Sequence, residues 1–572
     1  MKNAQIARIF KNIARILELK GDNPFRIRAY EKAAFNIESL PEDLDAILDK
    51  GGLKKIPGIG KDLALKIEEI IKTGTLKFYE KLKREMPPGL ILMLDIPGLG
   101  PRTIKNIYDK LKIDTIDKLE AAAKKGKLQS IEGIKRKTEE NIIKGIKLIK
   151  KGSKRTLLYL ALNIAGGFID SLKGLKGVRR IEYAGSLRRR KETVGDIDIL
   201  IESNNPSMVM NAFVKHPSVR EVIAKGSTKA SVLAGERNIQ IDLRVVKNEN
   251  FGAALMYFTG SKQFNIKIRQ LALKRGYKIN EYGVFDEKKN KRLCGKTENE
   301  IFSFMKMGYI PPELREDRGE IEASLRGSLP ELIGLKDIKG DLHVHSLYSD
   351  GRASILEIVK EAIKRNYQYI AITDHSQSLR VAGGLQKKEV YKKIEEIKKL
   401  NKKMRGIRIL CGTEADILGE GKVDYPDSIL KEFDIVIASI HSGFKQSKEK
   451  LTKRIVAACK NKYVHIIGHP TGRLIGVRPE YDIDMDEVIK AARDYNTALE
   501  VNCHYQRLDL GDINILHAKN SGVKLSLGTD AHNLEQLDMM GFGLSVARRG
   551  WLEKKDALNC MDLKELIRWL RG

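Results

Sequence analysis

The sequence predicts a multidomain fold: helical domains at the N-terminus, a mixed α/β region in the middle, and a C-terminal barrel of seven β/α units. Three observations carry this expectation. At 572 residues the chain is too long for a single hydrophobic core. A helix-turn-helix unit repeats in the N-terminal region. After Asp337, short apolar strands alternate with amphipathic helices in a regular pattern.

The chain opens on MKNAQIARIFKNIARILELKGDN, an amphipathic helix studded with charge and unlike a signal peptide. Two segments follow, LKKIPGIGKDLALKIEEII (53–71) and LMLDIPGLGPRTIKNIYDKL (92–111), each with a helix end, an Ile-Pro-Gly-x-Gly turn and an amphipathic helix. A third, LQSIEGIKRKTEENIIKGI (128–146), is worn, with Lys135 in place of the second glycine. One such turn would be an ordinary helix connection; the repetition points to helix-hairpin-helix units. Gly58, Gly60, Gly98 and Gly100 permit a tight turn, so that backbone N–H groups of the next helix can hold a DNA phosphate. Contacts of this kind fix the DNA backbone without reading its sequence.

Charge supports a polyanion partner. Lys+Arg 105 against Asp+Glu 75 give +30. Residues 341–572 hold 38 basic and 32 acidic side chains, so +24 of the surplus lies on residues 1–340. A Lys-rich solvated surface of the thermophile kind is the alternative. Five scattered cysteines without CxxC spacing argue for a reducing compartment and against a disulfide framework or zinc ribbon. No apolar run approaches the roughly 20 residues of a membrane span. The expectation is a soluble, cytoplasmic protein.

From about Lys151 the texture is mixed α/β, with strands expected near 180–183, 197–201 and 239–245. The segment AGSLRRRKETVGDIDIL (184–200) carries chemistry. Asp196 and Asp198, at i and i+2 of a strand, share one face while Ile197 and Ile199 take the other. Asp242, in IQIDLRV (239–245), lies opposite that strand's apolar side chains. Adjacent carboxylates need a cation between them, and hard Mg²⁺, which takes carboxylates together with substrate phosphates, is the natural one. Gly185 and Ser186 form a turn able to wrap a phosphate, with Arg188, Arg189 and Arg190 nearby. The set suits two-metal phosphoryl transfer.

Gly185-Ser186…Asp196-Ile197-Asp198 resembles the nucleotidyltransferase superfamily, and YFTGSKQFN (257–265) with Asn280-Glu281-Tyr282 narrows the resemblance to family X DNA polymerases of the beta type. The resemblance covers roughly residues 1–310 and implies a nucleotidyltransferase palm and thumb in its second half. It implies Asp196, Asp198 and Asp242 as metal ligands, and Ser186 and Arg189 as triphosphate contacts. Tyr257 and Phe258 would form a sugar-sensing wall, with Gly260 continuing the nucleotide-facing turn. Asn265 and Arg269 would meet the minor groove and template strand. Two positions depart from the pattern: Val194 replaces a polar triphosphate contact, and Lys262 replaces an acid and would reach the incoming phosphates. Lys66 falls where the family's lyase lysine forms a Schiff base with an abasic sugar, with Tyr30 and Arg26 aligned to that pocket and Lys61 a neighbouring charge. A phosphate-binding lysine without that chemistry is the other reading.

In the barrel region, seven strand candidates lie around Leu342 and at 369–373, 407–410, 435–440, 464–468, 498–502 and 524–528, and six run into a His, Asp or Glu. Strand C-terminal ends of a parallel barrel converge on one face. Nine of the ten histidines lie after residue 340. His343, His345, Asp350, His375, Glu414, His441, His469, Asp530 and His532 form the expected ligand set, which exceeds the needs of one ion. Mixed imidazole and carboxylate donors favour Zn²⁺, Mn²⁺ or Fe, two or three ions in all. His216, His465, His504 and His517 read as structural. The His-x-His, Thr-Asp-His, Gly-His-Pro and Gly-Thr-Asp-Ala-His signatures resemble the polymerase and histidinol phosphatase (PHP) domain, which implies a distorted seven-stranded β/α barrel with a trinuclear site, Mn²⁺- or Zn²⁺-loaded.

Together these readings divide the chain into a lyase-like helix-hairpin-helix domain at 1–85, helical fingers with a second such unit at 86–150, and a nucleotidyltransferase palm at 151–250. A thumb at 251–315, a linker at 316–336 and a PHP phosphoesterase domain at 337–572 follow. The expected function is DNA-templated gap filling in base excision repair by two-metal nucleotidyl transfer, with a metal-dependent 3′–5′ exonuclease and an abasic-site endonuclease or 3′-phosphatase action in the barrel. Expected partners are gapped or primer-template DNA and deoxynucleoside triphosphates, for a nucleoid-associated monomer with no membrane contact. The rival is an end-processing or abasic-site nuclease whose polymerase half is a DNA clamp; a non-enzymatic scaffold is a third possibility, disfavoured by two complete ligand sets.

Overall fold

In a computed structural model the chain divides into two units, residues 1–153 with 476–478, and 154–475 with 479–572. The structure describes residues 3–572 except 39–43, 50, 57, 74, 95, 97, 98, 132, 135, 137, 141, 144, 145, 147–154, 236 and 237.

The first unit is helical. Helix Asn3–Lys20 carries Ile6, Phe10, Ile13 and Leu17 at helical spacing, and all four are buried. They meet Tyr30, Ala33 and Ile37 of helix Pro24–Glu38 and Leu63, Ile67 and Ile70 of helix Lys61–Thr73 in one core. A second core gathers Leu90, Met93, Ile104, Ile107, Leu119 and Leu128 around helices Pro101–Leu111 and Ile116–Lys124.

The second unit begins with strand β1 (Thr156–Leu157) and helix Leu158–Lys173. Strands β2 (Val178–Tyr183), β3 (Thr193–Val194), β4 (Asp196–Ser203), β5 (Val219–Lys225), β6 (Lys229–Ala234) and β7 (Ile239–Val246) follow. β1 pairs with β3, and the other five form a sheet in the order β2-β4-β7-β6-β5, in which only β4 and β7 are parallel. Ile197, Ile199, Ile201, Ile241 and Leu243 bury one face under Phe168 and Phe213 from the helices. On the other face Leu200 is covered by Phe251 and Leu255 of helix Phe251–Thr259, while earlier on that face Asp198 is half-buried and Asp196 exposed. The thumb adds helix Lys262–Leu273 and a small sheet of β8 (Tyr277–Asn280), β9 (Gly283–Asp286) and β10 (Arg292–Cys294).

The expected linker at 316–336 is not a free connection. It contains helix Glu320–Leu325, and Glu320, Ile321, Ala323, Ser324 and Ile333 are buried. Glu320 accepts from the backbone N–H groups of Asp317 (2.8 Å) and Arg318 (2.7 Å), and Glu316 accepts from Arg189 and Arg549. Part of the charge there is spent in packing, while Glu331 stays exposed.

The barrel strands are β11 (Gly340–Val344), β12 (Tyr369–Ile372), β13 (Arg408–Asp416), β14 (Ile435–Ser439), β15 (Ile466–Ile467), β16 (Ala498–Asn502) and β17 (Leu525–Gly528). They are parallel and adjacent in sequence order. Backbone bonds from Asp530 N to His343 O (2.9 Å) and from His345 N to Ala531 O (2.9 Å) tie the two ends together, giving a nearly closed barrel. Leu566 and Leu570 of the C-terminal helix Leu563–Leu570 pack with Leu342, Leu410, Ile437 and Ile466. Among the described residues no helix is long and apolar enough to cross a membrane.

Candidate active sites

In the five-stranded sheet, the parallel register sets Asp198 opposite Asp242 on neighbouring strands, with Asp196 one alternate position earlier. Gly185 sits above Asp198 with φ +60°, and a Cβ there would come within 2.6 Å of Asp198 Oδ2. A side chain is therefore excluded where the turn approaches the acid. Burial, then the charges of Asp196 and Asp242, push the Asp198 pKa up to about 7. Carboxylates arranged so that one keeps its proton near neutrality fit a divalent cation. The three acids do not draw their oxygens within 4.8 Å of one another; among the described residues the sets that do are in the barrel.

Around this triad, the Gly185–Arg188 turn carries Ser186, and its arginines are already engaged. Arg188 makes a two-pronged pair with buried Glu298 (2.8 and 2.7 Å), which Arg315 also holds. Arg189 donates to Glu316 (2.9 Å) and to the carbonyl of Thr259. Tyr257 and Phe258 meet edge to face at 5.2 Å, and the Arg244 guanidinium lies 4.5 Å over Phe258. Gly260, with φ +67°, ends their helix, and Asn265 Nδ2 donates to the Tyr257 carbonyl at 2.6 Å. Lys262 and Arg269 are exposed, whereas Val194 is buried.

In the N-terminal unit, Lys66 pairs with Asp62 and keeps only 14% of its side chain exposed. Its ammonium lies 5.2 Å from the Phe78 ring centre and 5.7 Å from that of Tyr30, and those rings stack 6.2 Å apart. The Arg26 guanidinium also lies over Phe78, 5.1 Å from its ring centre. Gly58 has φ +76°, Gly60 has open space where a Cβ would stand, and Gly100 precedes Pro101 at the start of its helix. Gly98 lies outside the described residues.

In the barrel, all nine expected side chains meet at the strand C-terminal ends. Three overlapping groups hold ligand atoms within 4.8 Å: His345, Asp350, His375 and His532; His343, His345 and Asp530; His375, Glu414 and His441. His469 joins through Nε2, 3.0 Å from Glu414 Oε1. Burial opposes charge on His343, but Glu500, Glu414 and Asp530 outweigh it and hold its pKa well above the imidazole range. Burial likewise opposes charge on Glu414, yet His441, His343 and His375 hold it well below the carboxylate range. Buried His345 Nδ1, His375 Nδ1, His469 Nδ1 and Glu414 Oε2 have no aligned hydrogen-bond partner, although His375 Nδ1 lies 2.9 Å from Glu414 Oε2. Ligand atoms crowded this closely, several of them without a hydrogen-bond partner, fit cations better than protons.

Sequence reasoning missed the carboxylates behind these histidines. Glu500 Oε1 lies 2.6 Å from His343 Nδ1, and its Oε2 accepts from the His469 backbone N–H at 2.6 Å. Asp416 bonds His441 Nδ1. Both fix a ring so that Nε2 faces the centre. The available signal was an acid flanked by apolar residues within one strand, as in ALEVN. Arg507, 3.3 Å from Asp530 Oδ2, also went unread. His465 and His216 are structural: His465 is bonded through both ring nitrogens to backbone, and His216 stacks on Phe168 at 3.9 Å.

Comparison with known proteins bears on both halves. Family models match a helix-hairpin-helix domain at residues 1–76, a SAM-like helix-hairpin-helix tandem at 90–148, a DNA polymerase beta thumb at 254–316 and a PHP domain at 341–504. The chain is 42% identical over 572 residues to DNA polymerase/3′-5′ exonuclease PolX of Bacillus subtilis (strain 168), covering 100% of both chains. It is 38% identical over 243 residues to a probable phosphatase of Thermoanaerobacter sp. (strain X514), 40% of this chain and 94% of that one. A probable phosphatase of Caldanaerobacter subterraneus subsp. tengcongensis is 37% identical over 203 residues, 34% of this chain and 75% of that one.

Proposed function

The chain belongs to the PolX family of DNA polymerases with a PHP-domain 3′–5′ exonuclease, and on that premise we propose that it fills short gaps during DNA repair and trims 3′ ends from a second, separate site. The observation that carries this reading is the presence in one chain of two distinct ligand sets, an all-carboxylate one beside a phosphate-sized turn and an imidazole-rich one at a barrel mouth.

For nucleotide addition, Asp196, Asp198 and Asp242 would hold divalent ions, with Mg²⁺ the best match to an all-oxygen set. Bound there, such ions supply Lewis acidity toward the triphosphate and the primer 3′-hydroxyl. The chain's own contribution is positional. The Gly185-Ser186 turn and Arg189 receive the triphosphate, with Lys262 reaching its outer phosphates. Tyr257, Phe258 and Gly260 wall the sugar, and Asn265 and Arg269 face the duplex. Gly58, Gly60, Gly98 and Gly100 grip the DNA backbone, and Lys66, beside the stacked Tyr30 and Phe78 rings, attacks an abasic sugar. These roles map onto the domains expected at 1–85, 86–150, 151–250, 251–315 and 337–572.

For end trimming, His343, His345, Asp350, His375, Glu414, His441, His469, Asp530 and His532 would hold two or three ions, Mn²⁺ or Zn²⁺ by donor type. Ions held there supply Lewis acidity toward a phosphate ester and activate water. Glu500 and Asp416 orient the rings, and Arg507 adds a positive charge at the mouth. Abasic-site cleavage and 3′-phosphate removal would use the same chemistry. The working state is a nucleoid-associated cytoplasmic monomer on gapped DNA with deoxynucleoside triphosphates.

The test is one gapped substrate assayed for both reactions. Asp198→Ala should abolish extension and spare 3′–5′ cleavage, while His343→Ala should do the reverse. Loss of both activities in either folded variant would refute two independent sites.

A further inference from the structure

We propose that two arginines of the barrel, Arg549 and Arg473, are positioning residues for nucleotide addition, because they hold the palm turn that presents Arg189. The inference rests on the reading above that Arg189 meets the triphosphate.

The turn is gripped at two points. Arg549 ends the barrel helix Met540–Arg549, and its side chain is 1% exposed. One of its amino groups, Nη1, donates both to the carbonyl of Arg189 (2.9 Å) and to Glu316 Oε1 (2.9 Å). That same oxygen accepts from Arg189 Nε at 2.9 Å, so one carboxylate oxygen ties the two guanidinium groups. Arg549 Nη2 is anchored in turn by Asp512, at the start of the barrel helix Asp512–Asn520, and Asp512 also meets Arg318 at 3.2 Å. Three residues along the turn, Glu192 pairs with Arg473 at 3.3 Å. Arg473 is held rigidly, donating to the carbonyls of Arg507 (2.8 Å) and Leu508.

These contacts orient Arg189 itself. Its Nε is fixed by Glu316, which Arg549 shares, and its Nη1 lies against the Thr259 carbonyl and the open face of Gly260. A guanidinium gains its advantage with phosphate from a fixed fork geometry. A backbone free to shift by about 1 Å at such a point is enough to cost roughly 100-fold in reactivity or binding. The barrel therefore completes the nucleotide site from behind.

The experiment uses the full chain on gapped DNA, with extension followed over a range of deoxynucleotide concentrations. Arg549→Gln should raise the nucleotide KM at least about tenfold while kcat changes by less than about threefold, since uniform ground-state positioning is lost. Asp512→Asn and Glu192→Gln, milder changes on either side of the turn, should raise KM in the same direction, and Arg549→Lys should recover part of the loss. DNA affinity should stay within about twofold in all of them, and so should 3′–5′ cleavage in Arg549→Gln and Asp512→Asn, as neither of these residues contacts a barrel ligand. An unchanged KM in all three folded variants, or a parallel fall in extension, cleavage and melting temperature, would overturn the inference. If Asp198→Ala leaves wild-type extension intact, the reading of the polymerase site fails instead; if that variant is inactive but Arg549→Gln and its companions behave as wild type, only the barrel's role fails.

Discussion

Asp198 and Asp242 face each other across adjacent parallel strands, and the Gly185 turn closes over Asp198 where only a hydrogen atom fits. Both acids lie on the sheet face that carries Asp196. Asp242→Asn should therefore cut primer extension by more than the roughly 100-fold typical of losing an outer support of a metal ligand. Steady-state extension of a gapped primer, with 3′–5′ cleavage of the same strand as internal control, measures it.

The proton on Asp198 gives a second expectation. Its pKa is raised, to about 7, by burial and by Asp196 and Asp242. Below that value the acid is protonated and competes with a cation; above it the acid is ionised and the competition ends. Mg²⁺ affinity at this site should fall by up to about tenfold per pH unit as pH drops below about 7, and level off above it. Calorimetric titration of the wild type and of Asp198→Asn, in two buffers of different protonation enthalpy, isolates the released proton. Proton release equal in the two proteins would contradict the assignment.

Much of this was legible because chemistry interrupts pattern. Asp196, Asp198 and Asp242 break apolar alternation on strands, and seven apolar runs with polar ends mark the barrel strands, though 464–468 pairs only over Ile466–Ile467. β5 went unread because VREVIAK is exposed along nearly its whole length and carries no core stripe. The 316–336 segment misled for a different reason. Its neighbour Arg315 is buried against Glu298, and Glu316 against Arg189 and Arg549, partners 127 and 233 residues distant in the case of Glu316. No local pattern encodes an ion pair of that span. Glu500 and Asp416 were hidden likewise, since a supporting carboxylate looks like any acid until the histidine it orients is placed.

Glu500 can be tested directly. Its two oxygens serve His343 Nδ1 and the His469 backbone at 2.6 Å each. Glu500→Gln keeps the shape but reverses one bond, so barrel metal affinity and 3′–5′ cleavage should fall about 10- to 100-fold. Metal content after dialysis and the cleavage rate report this, and extension in Mg²⁺ should be unaffected.

Acid stability follows from Glu298, which burial alone would protonate but which Arg315 and Arg188 hold ionised, with a pKa of about 2. Because the folded pKa is depressed below the ordinary 4.5, the stabilisation is present above about 4.5 and is lost as pH falls toward 2. Glu298→Gln leaves two buried guanidinium groups uncompensated and should cost about 3 kcal/mol near neutrality. The gap in melting temperature between variant and wild type should narrow as pH drops below about 4. Calorimetric scans across that range decide it, and a gap independent of pH would remove the ion pair from the account.

Lys66 offers the sharpest division between two readings of one side chain. Its ammonium lies beside the stacked Phe78 and Tyr30 rings, 5.2 and 5.7 Å from their centres, with Asp62 as ion-pair partner and Arg26 5.1 Å from the Phe78 centre. Aromatic walls around a partly covered amine suit a flat sugar-derived electrophile as well as a charge, whereas a lysine that only holds phosphate needs no such enclosure. If Lys66 attacks C1′ of a 5′-terminal abasic sugar, water leaves as the imine forms, and borohydride reduces that imine to a stable amine joining protein and DNA. Wild-type protein should then give a covalent product on incised abasic DNA, and Lys66→Ala should lose it while retaining polymerisation on an ordinary gap. A phosphate-binding lysine gives the opposite pair of results: no trapped product from the wild type, and weaker gap binding for Lys66→Ala. Trapping that persists in Lys66→Ala would move the nucleophile to another amine.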